Sequence, residues 1–149
     1  MTLASEPRTD SSPPPALTIS VALVRLADTV RAELEQALNG SGVSWARYEI
    51  LSCLTRLGAL TYSDLAHALV RHRTSIAATV GFLETAGLVV REANPDKPQQ
   101  HLVRLTTRGD TVRLKAERVL ARRFSAGSDN TRQALDALRA LEQRMTALR

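Results

Sequence analysis

Three histidines and one cysteine are the first places to look for chemistry in this chain: His67, His72, His101 and Cys53. A helical zinc site of the His-x-x-x-His kind needs two imidazoles one turn apart on one face. His67 and His72 stand five residues apart across an expected turn, and His101 lies on a separate extended segment. No phosphate loop is present and no nucleophile motif surrounds Cys53. A single cysteine can form neither an internal disulfide nor a thiolate cage, and it reads as a small buried packing residue. These spacings argue against an enzyme, and no metal or cofactor is expected.

The cations suggest a different chemistry. The net charge is +5, and its distribution is uneven: residues 61–125 hold eleven basic and six acidic side chains, while residues 1–60 hold five and six. A local basic region is the electrostatic footprint of a nucleic-acid binder. On charge alone it is equally the footprint of a solvated basic face. Within it stands Arg71-His72-Arg73-Thr74-Ser75, where two guanidinium groups are followed by two hydroxyls.

The elements that must position these residues follow from periodicity and punctuation. Residues 1–15 are polar and end in Pro13-Pro14-Pro15, which reads as an extended arm. Residues 16–149 read as one domain, with 44% hydrophobic residues and only 3% aromatics in the chain, hence an aliphatic core. Val24, Ala27, Val30, Leu34 and Leu38 recur at helical steps over 16–39, ahead of Gly40-Ser41-Gly42. Ser44 suits the N-cap of a helix from Trp45 to Arg56, closed by Gly58. Thr61 and Asp64 have capping-box spacing and open a short helix burying Leu65, Ala66 and Leu69. After the connection Val70 to Arg73, a helix to Thr85 carries Ile76, Val80 and Leu83 on one face, and Gly87 ends it. Two short helices so tightly joined suggest a helix-turn-helix.

Leu88 to Glu92 and His101 to Leu105 are strand-like, and Asn94-Pro95-Asp96 and Pro98 between them are turn formers. A hairpin at this place is a wing. Thr106 or Thr107 then caps a long helix to about Ser125, and a last helix over 130–149 carries Leu135, Leu138, Leu141, Met145 and Leu148. Its stripe predicts a dimer interface shared with the first helix, with an intramolecular bundle as the alternative. The fold class is mainly α with a β-hairpin wing: a winged helix-turn-helix over about 44–106, flanked by dimerisation helices over 16–39 and 107–149. No apolar run approaches the roughly 18 residues of a membrane span, and the N-terminus lacks a basic start and an apolar signal core, so a cytoplasmic protein away from membranes is expected.

The ordered set Asp64-Leu65-Ala66, Leu83-Glu84, Gly87-Leu88-Val89, Asn94-Pro95 and Leu105-Thr106 with Gly109 resembles the multiple-antibiotic-resistance regulator (MarR) family over about 17–148. The resemblance implies a homodimeric transcriptional repressor on pseudo-palindromic double-stranded DNA. It also implies release by a small, often aromatic or anionic, effector held between the dimerisation helices and the DNA-binding lobe. Trp45 and Tyr48 are the aromatic candidates for that pocket, and both also suit a core or interface. Some relatives sense oxidants through a cysteine near the start of the first helix; none stands there in this sequence.

In a helix-turn-helix the second helix enters the major groove, N-terminal residues first. Here those residues are Arg71, His72, Arg73, Thr74 and Ser75, with Ala78 and Thr79 one turn on. Arg73 suits a guanine fork or a phosphate, Thr74 and Ser75 a base or phosphate, and Ala78 a thymine methyl. Arg91, Lys97 and His101 are the wing's candidates. Relatives carry an Asp-Arg-Arg triplet where this chain has Lys97-Pro98-Gln99, and an aspartate-like cap where it has His72. The missing wing arginines motivate a second reading, an interaction module that keeps the fold without operator binding. Phe82 is expected to be structural, because an exposed phenylalanine is unfavourable.

Overall fold

The computed structural model describes residues 14–124, 136, 138–140 and 143. Within them run α1 (Pro15–Leu38), α2 (Trp45–Leu57), α3 (Tyr62–Ala68), α4 (Arg73–Thr85), β1 (Val89–Ala93), β2 (His101–Leu105) and α5 (Thr107–Phe124). Residues 136, 138–140 and 143 are helical, and Leu138 is exposed. The rest of the stripe expected on the last helix, and nearly all of the N-terminal arm, lie outside the described residues.

Each helix begins and ends for a local reason. Ser44 caps α2, its hydroxyl accepting from the Arg47 N–H at 3.4 Å. Gly58 closes that helix at φ 82, a conformation costly for a residue with a Cβ. Thr61 and Asp64 form the reciprocal capping box of α3. Thr106 caps α5: its Oγ1 accepts from the Gly109 N–H at 3.0 Å.

The strands pair antiparallel with Val89 opposite Leu105 and Ala93 opposite His101. The first strand starts at Val89, one residue later than expected, because Leu88 forms a corner. Its N–H donates to the Leu83 carbonyl at 2.8 Å and its carbonyl accepts from the Thr106 N–H at 3.1 Å. A feature absent from the sequence reading is the bridge between Leu60 and Val103. Its two backbone hydrogen bonds, 2.8 and 3.1 Å, tie the base of the hairpin to the α2–α3 connection.

One core serves all these elements. Ile50 and Leu51 from α2, Leu65 from α3, Val80 and Leu83 from α4 and Val103 from β2 are sealed in it. Buried apolar area is the main favourable term in folding, and this core fixes one face of α4 while leaving its opposite face outside. Ala66 and Leu69, expected inside, are half-buried at the margin. Alpha-1 joins the core through Leu38 near its C-terminus, and Arg123 of α5 reaches Glu33 at 2.9 Å. Its earlier apolar residues Val24 and Val30 remain exposed.

Candidate nucleic-acid interface

The start of α4 is set by the turn before it. The Val70 N–H donates to the His67 carbonyl at 3.2 Å and the Arg71 N–H to the Ala66 carbonyl at 2.9 Å. That pair is a Schellman closure, whose pivot residue must be left-handed and is usually glycine. The pivot here is Val70, at φ 51. Alpha-4 ends on the same closure, with Gly87 at φ 68 as its pivot. The first closure is therefore strained and the second is not. Val70 is 76% exposed, so packing offers its side chain little in return.

Past this turn, His72 occupies the N-cap without a side-chain capping bond, as expected of an imidazole. Arg73, Thr74, Ser75 and Ala78 are exposed; Thr74 and Ala78 turn away from Ile76, Val80 and Leu83, while Arg73, seven residues before Val80, projects from the N-terminal end of the helix on its inner side. No ion pair or hydrogen bond occupies the Arg73 guanidinium among the described residues. Thr79 is half-buried, and its hydroxyl donates back to the Ser75 carbonyl at 2.9 Å, which leaves it a packing role on this helix. Arg71 faces inward: its Nη2 donates to Glu49 Oε2 on α2 at 3.0 Å. That pair ties the end of the turn to α2, and 29% of the Arg71 side chain remains accessible.

The wing's cations differ again. Arg91 Nε donates to Glu84 at 2.9 Å, and Arg104 Nε to Glu92 at 2.8 Å. Lys97 stands exposed at the hairpin tip, in a turn where Asn94 Oδ1 accepts from the Asp96 N–H. His101 is exposed at the start of β2. A cleft of about 580 Å³ between α3 and the hairpin brings Arg73, Arg91, Lys97 and His101 together with Asp64 and Asp96. Hydrogen bonds from the Thr61 hydroxyl and backbone N–H hold the Asp64 carboxyl below the usual carboxylate range. It stays an anion at neutral pH.

Phe82, expected to be structural, is 63% exposed. The Arg47 guanidinium lies over its ring, 4.9 Å from the centroid, which gives the exposed ring a partner. Trp45 and Tyr48 touch, with ring centroids 5.5 Å apart. Trp45 walls a cavity of about 200 Å³ with Arg31, Glu35, Glu49, Arg71 and the α4 residues Ser75 and Thr79, and Tyr48 is not part of that wall. Cys53 is buried, and burial pushes its thiol pKa up, away from the reactive thiolate. Among the described residues no cluster of three or more His, Cys, Asp or Glu could hold a metal ion. No described helix is long and apolar enough to cross a membrane.

Comparison with known proteins agrees with this geometry. The MarR family model matches residues 43–97, from the start of α2 to the tip of the wing. The HTH-type transcriptional regulator FarR of Neisseria gonorrhoeae is 26% identical over 94 residues, which cover 63% of this chain and 64% of that regulator's length. A MarR family transcriptional regulator from Streptomyces coelicolor superposes with a TM-score of 0.75 at 27% identity, over 89% of this chain and 96% of its own. The transcriptional repressor CouR, solved bound to a 23-mer DNA duplex, shares the fold with a TM-score of 0.73 at 24% identity, over 81% of this chain and 89% of its own. The helix-turn-helix and the first strand of the hairpin lie on the residues the family model matches, and over most of its length the chain is similar in fold to a MarR family regulator.

Proposed function

We propose that this protein is a DNA-binding transcriptional regulator that acts in the cytoplasm as a homodimer, occupies a pseudo-palindromic operator as a repressor, and leaves it when a small effector binds. One observation carries the reading. Arg73, Thr74 and Ser75 stand exposed on the first turn of α4 while Ile76, Val80 and Leu83 lock the helix into the core. A helix so held presents a fixed set of donors to a groove, which is how a recognition helix reads bases. The DNA duplex on CouR, a protein of the same fold, supports this use of the surface.

A homodimer is supported by α1, where Leu17, Ile19, Val24 and Leu26 each remain more than half exposed. Apolar surface of that extent on one helix suits burial against a second copy. The half-sites would then lie about one helical turn, roughly 10 bp, apart.

An effector is supported by the cavity behind α4, where Trp45 offers an aromatic wall and Arg31, Glu35 and the Arg71–Glu49 pair offer polar groups to a small ring. Its volume, about 200 Å³, suits a single small ring. Ser75 and Thr79 form part of the same wall, so a ligand there bears on the position of α4. It shifts DNA affinity to the extent that it binds the two positions unequally, typically by about 1–3 kcal/mol.

Selection from a random duplex pool with purified protein tests the reading. A sharp palindromic motif, bound more weakly as salt rises, is expected. Failure to enrich any sequence, together with no gel shift at low salt, would leave an interaction module on a winged-helix scaffold.

A further inference from the structure

Arg47 and Phe82 form a contact between α2 and α4 that the reading above leaves unused. Arg47 stands in the first turn of α2, where its N–H bonds the Ser44 cap. Its guanidinium lies over the Phe82 ring at 4.9 Å, and no hydrogen bond or ion pair engages that guanidinium among the described residues. Phe82 itself is exposed. Counting at 100° per residue, Phe82 falls on the same edge of α4 as Ser75, beside the outward stripe of Thr74 and Ala78 and seven residues further on. That is about 10 Å along the helix axis, a reach that leads from the groove floor toward its rim. An exposed ring with an uncompensated cation on it thus flanks the face assigned to DNA.

We propose that Arg47 is a backbone-phosphate contact of this interface and that Phe82 is the residue that positions it. The inference rests on the DNA-binding reading. A ring face attracts a guanidinium and fixes its plane while leaving its N–H edge free. That edge is the group that meets a phosphate oxygen in two parallel hydrogen bonds. In Phe82 the chain therefore has an aromatic seat for a cation supplied by the neighbouring helix. The cation so placed partly replaces what the wing lacks at Lys97-Pro98-Gln99.

The salt dependence of binding to the selected motif tests this, because each neutralised phosphate contributes about 0.9 to the slope of log K against log salt. In a homodimer Arg47→Ala is expected to flatten the slope by roughly 1.8, and Arg47→Lys to retain it. Phe82→Ala is expected to weaken binding several-fold in the wild-type background and to add nothing on top of Arg47→Ala. Phe82 is surface-exposed, so its alanine variant should unfold at the wild-type temperature, separating positioning from folding. An unchanged slope for Arg47→Ala overturns the phosphate contact. Additive losses from the two substitutions overturn the positioning role. If the wild-type chain enriches no motif and shifts no duplex, the DNA-binding reading fails first and this inference with it.

Discussion

Arg73 on α4 and Arg91 on β1 border the same cleft, yet the fold treats them differently. Among the described residues the first forms no ion pair, while the second is held by Glu84 at 2.8 Å. Arg104, further along the wing, is held by Glu92. Alpha-4 thus leaves its guanidinium unpaired, while Arg91 and Arg104 of the wing are paired within it or with α4. Base and phosphate contact should be concentrated on α4, with the wing adding Lys97 and shape. The supports of the two regions differ as well. The wing is stitched by strand pairing, by the Leu60–Val103 bridge and by Thr106, whereas α4 starts from a strained valine.

Substitutions can break this contrast or sharpen it. The largest effect is expected from Arg73→Ala. Loss of a guanidinium fork weakens binding by about 1–3 kcal/mol per half-site and relaxes sequence preference; equilibrium titration of the selected motif measures it, and Lys97→Ala should cost clearly less. Gly109→Ala comes next. A Cβ there would overlap the Leu88 carbonyl and press on Leu105. Forcing α5 away from the base of the wing should cost about 1–3 kcal/mol, read as a lowered denaturation midpoint.

Val70→Gly should act in the opposite direction. The closure before α4 needs a left-handed residue, and relieving the valine should raise stability by about 1 kcal/mol, seen in the same denaturation experiment. The smallest effect is expected from Glu84→Gln. It frees Arg91 from a surface ion pair worth at most about 1 kcal/mol, so stability should hardly change while the salt dependence of DNA binding steepens. If this variant bound like the wild type at every salt concentration, the wing's cations would not be limited by their carboxylates.

Much of the fold was legible because its signals are local. Thr61 with Asp64, Ser44, Gly58 and Gly87 are each caps or stops decided within one turn of chain, and all four act as expected. His101 to Leu105 is aliphatic and β-branched between turn formers, and it forms a strand. What could not be read depends on partners distant in sequence. Arg71 looked like a groove residue, but Glu49, 22 positions earlier, takes its guanidinium. Arg91 looked free until Glu84 was placed beside it. Phe82 looked structural because its cation lies on another helix. The Leu60 bridge is a single residue wide and leaves no periodicity to detect. Val70 hides its strain because valine is a poor guide to a positive φ.

The central claim is that the first turn of α4 lies in a DNA groove. A photoreactive side chain placed at position 74, irradiated in complex with the selected duplex, tests this directly. Cross-links to bases within each half-site, with none from the same group placed on α1 at position 24, are the predicted result. Cross-links from position 24 and none from position 74 would contradict the account.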